Sequence, residues 1–182
     1  MGAAGAGGDD VVDTGAADNF SFFVTSYEQL IDLAGTEDGF GGDLRYNGAA
    51  TGLEGADAIC QELARRVGFG QRTWKAYLST STVNAIDRIG PGPWYDFTGT
   101  LVADDPSGLT SGDRPAGGCC DEGTYDELGL LHDGTEVDDH DTLTATLSDG
   151  TYAGFSCDDW TSVTAEGESG GGFGSGAMAG HM

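Results

Sequence analysis

The sequence predicts a single α+β domain with long irregular loops, and three observations support this class. One segment, residues 54–67, has the periodicity of an amphipathic helix. Several short runs of alternating or β-branched residues are separated by turn signals, which is typical of short antiparallel strands. The 182 residues include 33 glycines and only 38% hydrophobic residues, a composition that favours one modest core with extended loops.

The clearest predicted element is the helix over residues 54–67. Its apolar residues recur at helical spacing, and acidic residues lie at its start. Arg65 and Arg66 lie in its last turn, where they favour the helix dipole, and Gly68 follows as a stop signal. Cys60 lies on the apolar face, so we expect its side chain to point into the core.

The other predicted elements are short. A helix is predicted over residues 27–33, with Ser26 and Gln29 forming a capping box, and another over residues 82–89. Strands are predicted over residues 20–26, 74–79, 94–103 with a turn at Gly99, 142–147 and 151–155 on either side of an Asp149-Gly150 turn, and 157–162. Together they predict short helices packed on a twisted, mostly antiparallel sheet. We find no internal repeat in the sequence and expect none in the fold.

The chain divides into one domain and two flanks. Residues 1–19 are predicted to be a flexible acidic linker, because they cannot bury enough apolar surface to offset the entropy of ordering. The domain is predicted over residues 20–164. Residues 165–182 are glycine-rich and are predicted to be disordered or the truncated end of the domain. Within the domain, the polar stretch 104–139 is long for a compact fold and is the predicted functional surface.

The charge balance excludes one class of partner. The chain has 31 Asp and Glu against 7 Lys and Arg, a formal net charge of −24. Such a surface repels nucleic acids, since no cationic patch is present to release phosphate counterions. Three interpretations of the acidity remain open: a solvated surface, which we favour, adaptation to high salt, and calcium binding. No apolar run is long enough to span a membrane, although a lipid anchor upstream is compatible with the sequence.

Several motifs occur in an order typical of one family. Gly-Ala-Asp-Ala-Ile-Cys-Gln at 55–61 precedes Trp-Lys-Ala-Tyr-Leu-Ser at 74–79 and Asn-Ala-Ile-Asp-Arg-Ile-Gly at 84–90. Gly-Pro-Trp-Tyr at 92–95 and Ser-Cys-Asp-Asp-Trp-Thr-Ser at 156–162 follow. This combination resembles the endostatin-like group of C-type-lectin-like domains found in bacterial extracellular proteins and lipoproteins, often of myxobacterial type. The resemblance covers about residues 20–164 and implies a secreted, cell-surface or periplasmic location, with an export leader that is not visible in this chain.

The resemblance also implies disulfides. In that fold, cysteines at the positions of Cys60 and Cys157 pair with partners beyond residue 165, which this chain does not contain. We therefore expect the chain to be incomplete at its C-terminus, or to be a variant in which Cys119 and Cys120 pair with Cys60, Cys157 or another chain. Such a disulfide framework suits an oxidising compartment.

Calcium is the one cofactor that the sequence suggests. The family's sugar-binding calcium triplets do not occur, and the best remaining cluster is acidic: Glu136, Asp138, Asp139 and Asp141. A solvated acidic loop is the alternative interpretation of these residues. His132, His140 and His181 are isolated, so zinc is poorly supported.

The aromatic and nucleophilic residues give no enzyme signature. Trp74, Trp94, Tyr95 and Trp160 suit either sugar stacking or, more simply, core packing. No nucleophile elbow or triad order occurs. The sequence therefore predicts a non-enzymatic recognition module that binds glycan or an extracellular protein through region 104–139. The alternatives are a hydrolase or oxidase on the same fold, or a self-associating structural surface protein.

Overall fold

The computed structural model describes residues 15–111, 123–132, 141–163 and 179–181. Within them the protein is of the mixed α+β class, with short helices and small antiparallel sheets, as predicted. The helices are α1 (Tyr27–Ala34), α2 (Gly52–Arg66), α3 (Pro106–Thr110) and the four-residue turn α4 (Cys157–Trp160), with 3-10 turns at Tyr46–Gly48 and Ala85–Asp87. The strands are β1 (Trp94–Tyr95), β2 (Leu101–Ala103), β3 (Thr124–Tyr125), β4 (Leu131–His132), β5 (Asp141–Leu143) and β6 (Ala179–His181).

Helix α2 confirms the strongest prediction and begins two residues earlier than expected. Thr51 caps it: the Thr51 hydroxyl accepts the Glu54 amide at 3.2 Å, and the Glu54 carboxylate accepts the Thr51 amide at 3.1 Å. This reciprocal capping box satisfies two backbone donors that the first turn leaves free. The apolar face of α2 is buried, and Cys60 packs against the core as predicted.

Helix α1 lies where it was predicted, but the expected capping box is wrong. Ser26 occupies the N-cap position and makes no side-chain cap bond. Its amide and hydroxyl donate instead to the Glu127 carboxylate, at 3.0 and 2.5 Å. A tertiary acceptor thus replaces the local one, because Glu127 is fully buried and needs donors.

Two further predictions are wrong in their local conformation. The helix expected over residues 82–89 is a single 3-10 turn at Ala85–Asp87. The strand expected over residues 157–162 begins with α4, in which four consecutive non-glycine residues have positive φ, between 48° and 67°. Left-handed backbone costs about 1–2 kcal/mol for each such residue, so tertiary contacts must hold this turn.

Contacts from two segments, around Leu44 and around residues 79–81, hold α4 in place. The Asp159 carboxylate accepts the Ser81 amide at 2.7 Å and the Ser81 hydroxyl at 2.6 Å. Trp160 is fully buried, and its indole Nε1 donates to the Ser79 carbonyl at 2.8 Å. The Leu44 amide donates to the Trp160 carbonyl at 3.0 Å. The turn is therefore fixed by what it buries and bonds, not by its own backbone preference.

The strands form three separate two-stranded antiparallel ladders in the described residues, whereas the prediction was one twisted sheet. Strand β1 pairs with β2, β3 with β4, and β5 with β6. The turn at Gly99 was predicted within a single strand over residues 94–103, whereas the structure folds this segment into the two paired strands β1 and β2. The β5–β6 pair joins Asp141–Leu143 to Ala179–His181, in the C-terminal stretch for which no element was predicted.

The segments 20–26 and 74–79 do not form strand ladders within the described residues, contrary to the predictions. Segment 20–26 has one isolated bridge, Val24 to Asp126, and otherwise donates its amides to the two hairpins. In segment 74–79, the Ser79 amide donates to the Thr144 carbonyl at 3.2 Å. These segments therefore link neighbouring parts of the fold through single hydrogen bonds, not as strands of a sheet.

The core consists of two buried clusters on either side of Cys60, which contacts both. The first surrounds Phe20 and the second surrounds Trp160. Their buried members are Phe20, Ala64, Val67, Trp74 and Phe97 in the first, and Ala56, Ala76, Leu78, Ala145 and Trp160 in the second. Helix α2 contributes residues to both clusters, so it is the central element of the described fold.

A largely buried ion cluster ties α2 to the following segments. Asp57 accepts Arg88 Nη2 with both carboxylate oxygens at 2.9 Å and Lys75 Nζ at 2.7 Å. It also accepts the Ala76 amide at 3.0 Å. A largely buried carboxylate is costly unless it is paired and hydrogen-bonded, and these partners meet that need for Asp57.

Candidate functional site

Two hairpins of the same design lie side by side in the fold. The first contains Tyr-Asp-Phe-Thr-Gly-Thr-Leu at 95–101, and the second contains Tyr-Asp-Glu-Leu-Gly-Leu-Leu at 125–131. The shared pattern is Tyr-Asp-x-x-Gly-x-Leu, and in both hairpins the Tyr pairs with the final Leu across the ladder. The expectation that the chain has no internal repeat is therefore wrong at the scale of a hairpin.

The hydrogen bonds of the two turns match one by one. Asp96 Oδ1 accepts the amides of Thr98 and Thr100, each at 2.9 Å. Asp126 Oδ1 accepts the amides of Leu128 and Leu130, each at 2.9 Å. Each turn then passes through a glycine with φ near +80°, which is Gly99 in the first and Gly129 in the second. A three-residue turn closed by a left-handed glycine is a common hairpin form, and the aspartate braces it.

The two hairpins also pack together on the N-terminal segment. The Phe22 amide donates to the Tyr95 carbonyl at 2.9 Å, and the Val24 amide donates to the Tyr125 carbonyl at 3.1 Å. The Phe97 ring of the first hairpin lies directly on Gly129 of the second, where an added Cβ would come within 2.5 Å of the ring. The second hairpin is thus held rigidly against the core.

The residue after the aspartate is buried in both hairpins, but its chemistry differs. In the first hairpin it is Phe97, which packs in the core cluster around Phe20. In the second it is Glu127, whose side chain is fully buried. A carboxylate therefore occupies the position that the first hairpin fills with an aromatic ring. Charged side chains are rarely buried, and exceptions of this kind mark sites of special function or strain.

Burial raises the pKa of Glu127, and the negative charge of the adjacent Asp126 raises it further. The two hydrogen bonds from Ser26 oppose this shift without cancelling it. The charge of Glu127 in turn helps to raise the pKa of the Cys60 thiol. Because the folded protein binds the Glu127 proton more tightly than the unfolded chain does, stability is lost as the pH rises from 4.5 through the raised folded pKa.

Replacing Glu127 with Gln is expected to raise the melting temperature at pH 7. The amide keeps an acceptor for the Ser26 amide and removes the buried charge. As the pH falls towards 4.5, wild type is expected to gain stability relative to the variant, since its own carboxyl is then neutral. Thermal melts of both proteins across this pH range measure the effect.

The exposed Glu37 supplies the control, because the change Glu37→Gln removes the same formal charge from the surface. We expect that variant to follow the wild-type pH dependence. A Glu127→Gln protein that is less stable than wild type at pH 7 would contradict the account of the buried carboxylate.

The exposed positions distinguish the two hairpins most clearly. In the first hairpin they hold Thr98 and Thr100. In the second, the equivalent residues Leu128 and Leu130 are 41% and 57% exposed, and the neighbouring Leu131 is 43% exposed. We call Leu128, Leu130 and Leu131 the leucine surface. Because the first hairpin forms the same turn with threonines, the turn itself does not require leucine.

A third turn in the chain uses the same backbone bonds with other side chains. The Leu147 amide donates to the Thr151 carbonyl at 2.8 Å, and the Gly150 amide donates to the Leu147 carbonyl at 2.9 Å. This confirms the predicted Asp149-Gly150 hairpin turn. Leu147 is an exposed leucine on this turn, at the position that Asp126 holds in the second hairpin and outside the leucine surface, so it allows a Leu→Thr control substitution elsewhere on the protein.

Asp126 and His132 form the one pair in the second hairpin with catalytic residue types. His132 Nε2 lies 3.1 Å from Asp126 Oδ2. A base of this kind acts on a hydroxyl or thiol within hydrogen-bonding distance. Ser26, the hydroxyl that this hairpin buries, donates instead to Glu127 at 2.5 Å. The geometry therefore suits a structural brace in which the Asp126–His132 contact fixes the end of β4.

Of the predicted cysteine sites, Cys60 and Cys157 lie in the described residues, and both are free thiols. Desolvation by burial raises the pKa of Cys60 to about 12, with smaller contributions from Asp57 and Glu127. A thiol with so high a pKa carries almost no thiolate at neutral pH and is a poor nucleophile. Cys119 and Cys120 lie outside the described residues, so their predicted pairing stays a prediction.

Most of the predicted calcium ligands lie outside the described residues. These are Glu136, Asp138 and Asp139. Asp141 begins β5, where its backbone lies opposite that of His181 in the antiparallel ladder with β6. Within the described ranges, no group of three His, Cys, Asp or Glu is arranged to hold a metal ion. The Glu136, Asp138, Asp139 and Asp141 hypothesis is therefore still a prediction.

The aromatic residues divide between the core and its edge. Trp74 and Trp160 are buried members of the two core clusters, which agrees with the core-packing interpretation. Trp94 and Tyr95 are partly exposed in β1. The candidate feature that sequence reasoning missed is the leucine surface. The sequence signal that could have identified it is the second occurrence of Tyr-Asp-x-x-Gly-x-Leu.

The comparisons with known proteins give no further assignment. No family model matches the chain, and no curated protein matches it at a significant level. In the part of the chain that the structure describes, no helix combines the length and the apolar character needed to cross a membrane.

Proposed function

We propose that this chain is a secreted or surface-anchored, non-enzymatic recognition module that binds an extracellular protein or glycan through the second hairpin. The observation that carries the proposal is the leucine surface. Three large apolar side chains are exposed on a turn whose twin in the same chain uses threonine at two equivalent exposed positions. Exposed apolar clusters on rigid loops are typical of binding sites.

The rigidity of the hairpin supports the same proposal. Asp126 fixes the amides of Leu128 and Leu130, Glu127 is anchored on Ser26, and Gly129 lies under the Phe97 ring. The leucines are therefore held in place before any partner arrives. Preorganisation of this kind lowers the entropy that binding would otherwise lose.

We further propose that the domain has the C-type-lectin-like fold of the endostatin-like group. The support is the order of the sequence motifs, together with an α+β structure whose central helix carries Cys60 and whose Trp74 and Trp160 lie in the core. Binding through long loops is what that resemblance implies for region 104–139, which contains the second hairpin.

The test uses arrays of glycans and of extracellular proteins probed with three proteins. Wild type and Leu147→Thr are expected to bind the same targets, whereas the double variant Leu128→Thr/Leu130→Thr is expected to lose them by about tenfold or more in affinity. Targets that the double variant keeps at wild-type affinity would show that the leucine surface is not the binding site.

The calcium hypothesis is tested in the same experiment by adding a chelator. If Glu136, Asp138, Asp139 and Asp141 hold calcium that shapes the site, chelation weakens binding. Identical array profiles with and without chelator would remove calcium from the proposal and leave the leucine surface unaffected.

A further inference from the structure

Glu127 joins the second hairpin to the start of α1. Glu127 and Ser26 are both fully buried. Ser26 occupies the N-cap position of α1, and its amide and hydroxyl donate to the two carboxylate oxygens of Glu127 at 3.0 and 2.5 Å. In the part of the chain that the structure describes, no Lys, Arg or His forms an ion pair with Glu127. A buried carboxylate with hydrogen bonds but no paired cation is costly in its charged form.

The groups of the two hairpins that lie near Glu127 add to that cost. Burial raises the pKa of Glu127, and the negative charge of the adjacent Asp126 raises it further. His132 Nε2 lies 3.1 Å from Asp126 Oδ2, so its contact is with the neighbouring carboxylate. From the first hairpin, the group packed against the second is the Phe97 ring, which does not ionise.

From α2, the group within electrostatic range of Glu127 is the Cys60 thiol. The pKa of Cys60 is raised to about 12, first by burial and then by the charges of Asp57 and Glu127, while Arg88 opposes the shift. Asp57 and Arg88 pair with each other, since Arg88 Nη2 lies 2.9 Å from Asp57 Oδ1. Cys60 is therefore neutral, the charged groups beyond it are paired, and the described surroundings of Glu127 favour its neutral form.

The second hairpin is small enough to open without the rest of the fold. Its ladder joins only Thr124 to His132 and Tyr125 to Leu131. The turn beyond the ladder is held by Asp126 Oδ1, and its leucine side chains are exposed. Segments with short ladders and exposed side chains open locally at a lower free energy than the whole domain unfolds.

We infer that Glu127 is a pH-sensitive switch: its neutral carboxyl keeps the second hairpin closed against Ser26, and loss of its proton lets the hairpin open locally. As a means of regulating the leucine surface, the inference rests on the proposed function. As a property of the hairpin, it is tested without any binding partner. The link to Ser26 means that opening also releases the N-cap residue of α1.

The direction of the effect follows from the two states of the carboxyl. In the open hairpin Glu127 is in water with a pKa near its ordinary value of 4.5, whereas the closed hairpin raises that pKa. Between these two values the open state has released a proton that the closed state still holds. The opening equilibrium constant therefore rises by up to about tenfold per pH unit in this range, and it is level below and above it. The hairpin is closed in acidic solution and loosens as the pH rises.

Amide hydrogen exchange of the wild-type protein, followed by NMR spectroscopy from about pH 4 to 8, measures the opening. Rates are expressed as protection factors, which remove the intrinsic effect of pH on exchange. The amides of Thr98 and Thr100 are the internal reference, since they have the same aspartate brace and a ring in place of Glu127. We expect protection at Leu128 and Leu130 to fall by up to about tenfold per pH unit, with the reference amides level.

The variants assign the effect to one carboxyl. In Glu127→Gln, protection at Leu128 and Leu130 is expected to be independent of pH and above the wild-type value at pH 7. His132→Asn is expected to keep the wild-type pH dependence, although histidine is the side chain whose charge ordinarily changes in this range. Glu37→Gln, a change of the same kind on the surface, is also expected to behave as wild type.

Ser26→Ala tests the hydrogen bonds to the carboxyl. Removing the Ser26 hydroxyl takes a donor from the charged form of Glu127, so protection of the second hairpin is expected to fall further at pH 7 than at pH 4.5. The variant keeps α1, because the Ser26 side chain makes no cap bond to that helix. Equal protection in this variant and wild type at both pH values would contradict the role of Ser26 in the switch.

Three other results would overturn the inference. Protection that is level with pH in wild type would show that Glu127 does not control the hairpin. A pH dependence that Glu127→Gln retains would assign the effect to another group, such as His132. An equal fall at Thr98 and Thr100 would show opening of the whole domain and not of one hairpin. None of these results bears on binding by the leucine surface, which the array experiment decides separately.

Discussion

Replacing Trp160 with Ala is expected to lower the free energy of unfolding by about 3–5 kcal/mol. Trp160 is fully buried in the second core cluster, and its indole Nε1 donates to the Ser79 carbonyl at 2.8 Å. The substitution leaves a large cavity and an unsatisfied carbonyl. It also removes the burial that holds the left-handed backbone of α4, so the strain of that turn is no longer offset.

Urea denaturation of wild type, Trp160→Ala, Trp160→Phe and Trp94→Ala measures this effect. Trp160→Phe keeps an aromatic ring and loses the hydrogen bond, so a loss of about 1–2 kcal/mol is expected. Trp94 is only partly buried, and its replacement is expected to cost clearly less than that of Trp160. A Trp160→Ala protein within about 1 kcal/mol of wild type would contradict the assignment of Trp160 to the core.

Replacing Asp126 with Ala is expected to cost about 2–4 kcal/mol and to weaken binding at the leucine surface. The Asp126 side chain is 1% exposed. Its carboxylate accepts the Leu128 and Leu130 amides and pairs with His132. Removing it leaves these donors without their acceptor and releases the turn that positions the leucines.

Two further variants show whether the acceptor itself matters. Asp126→Asn keeps a carbonyl oxygen for the two amides and is expected to retain more than half of the lost stability. Asp96→Ala removes the equivalent brace from the first hairpin, so a similar loss of stability is expected with the leucine surface still in place. Stability is read from urea denaturation and hairpin order from amide hydrogen exchange. Unchanged exchange at Leu128 and Leu130 in Asp126→Ala would contradict the role of the brace.

The sequence predicted those elements whose signals are local. Helix α2 combines apolar periodicity with favourable terminal charges, and the turn at Gly99 is indicated by its glycine, so no distant contact was needed to predict either. The 147–151 turn was predictable for the same reason, because Asp149-Gly150 is a strong turn signal. The α+β class follows from these elements together.

The sequence misled where tertiary contacts override local preference. Ser26 has the residue type of a helix cap, yet its hydroxyl bonds to Glu127, 101 residues away. Segment 157–162 was predicted as a strand, yet the burial of Trp160 and the bonds of Asp159 to Ser81 fold its start into a left-handed turn. Neither partner is visible from the neighbouring sequence, so these outcomes required the structure.

The candidate site was predictable only as a region. The polarity and length of segment 104–139 indicated a functional region. The same polarity gave no strand pattern, so the second hairpin within this segment was not predicted. The repeat of Tyr-Asp-x-x-Gly-x-Leu was available in the sequence. Its meaning was not, because the burial of Glu127 and the exposure of Leu128 and Leu130 emerge only when the two hairpins are compared in three dimensions.

The central claim is that Leu128 and Leu130 serve binding and not folding, and the melting temperature of the Leu128→Thr/Leu130→Thr protein tests it most directly. The first hairpin forms the same turn with Thr98 and Thr100. We therefore predict a melting temperature within about 2 °C of wild type. A fall of more than about 5 °C would show that the leucines contribute to packing, and would contradict the claim.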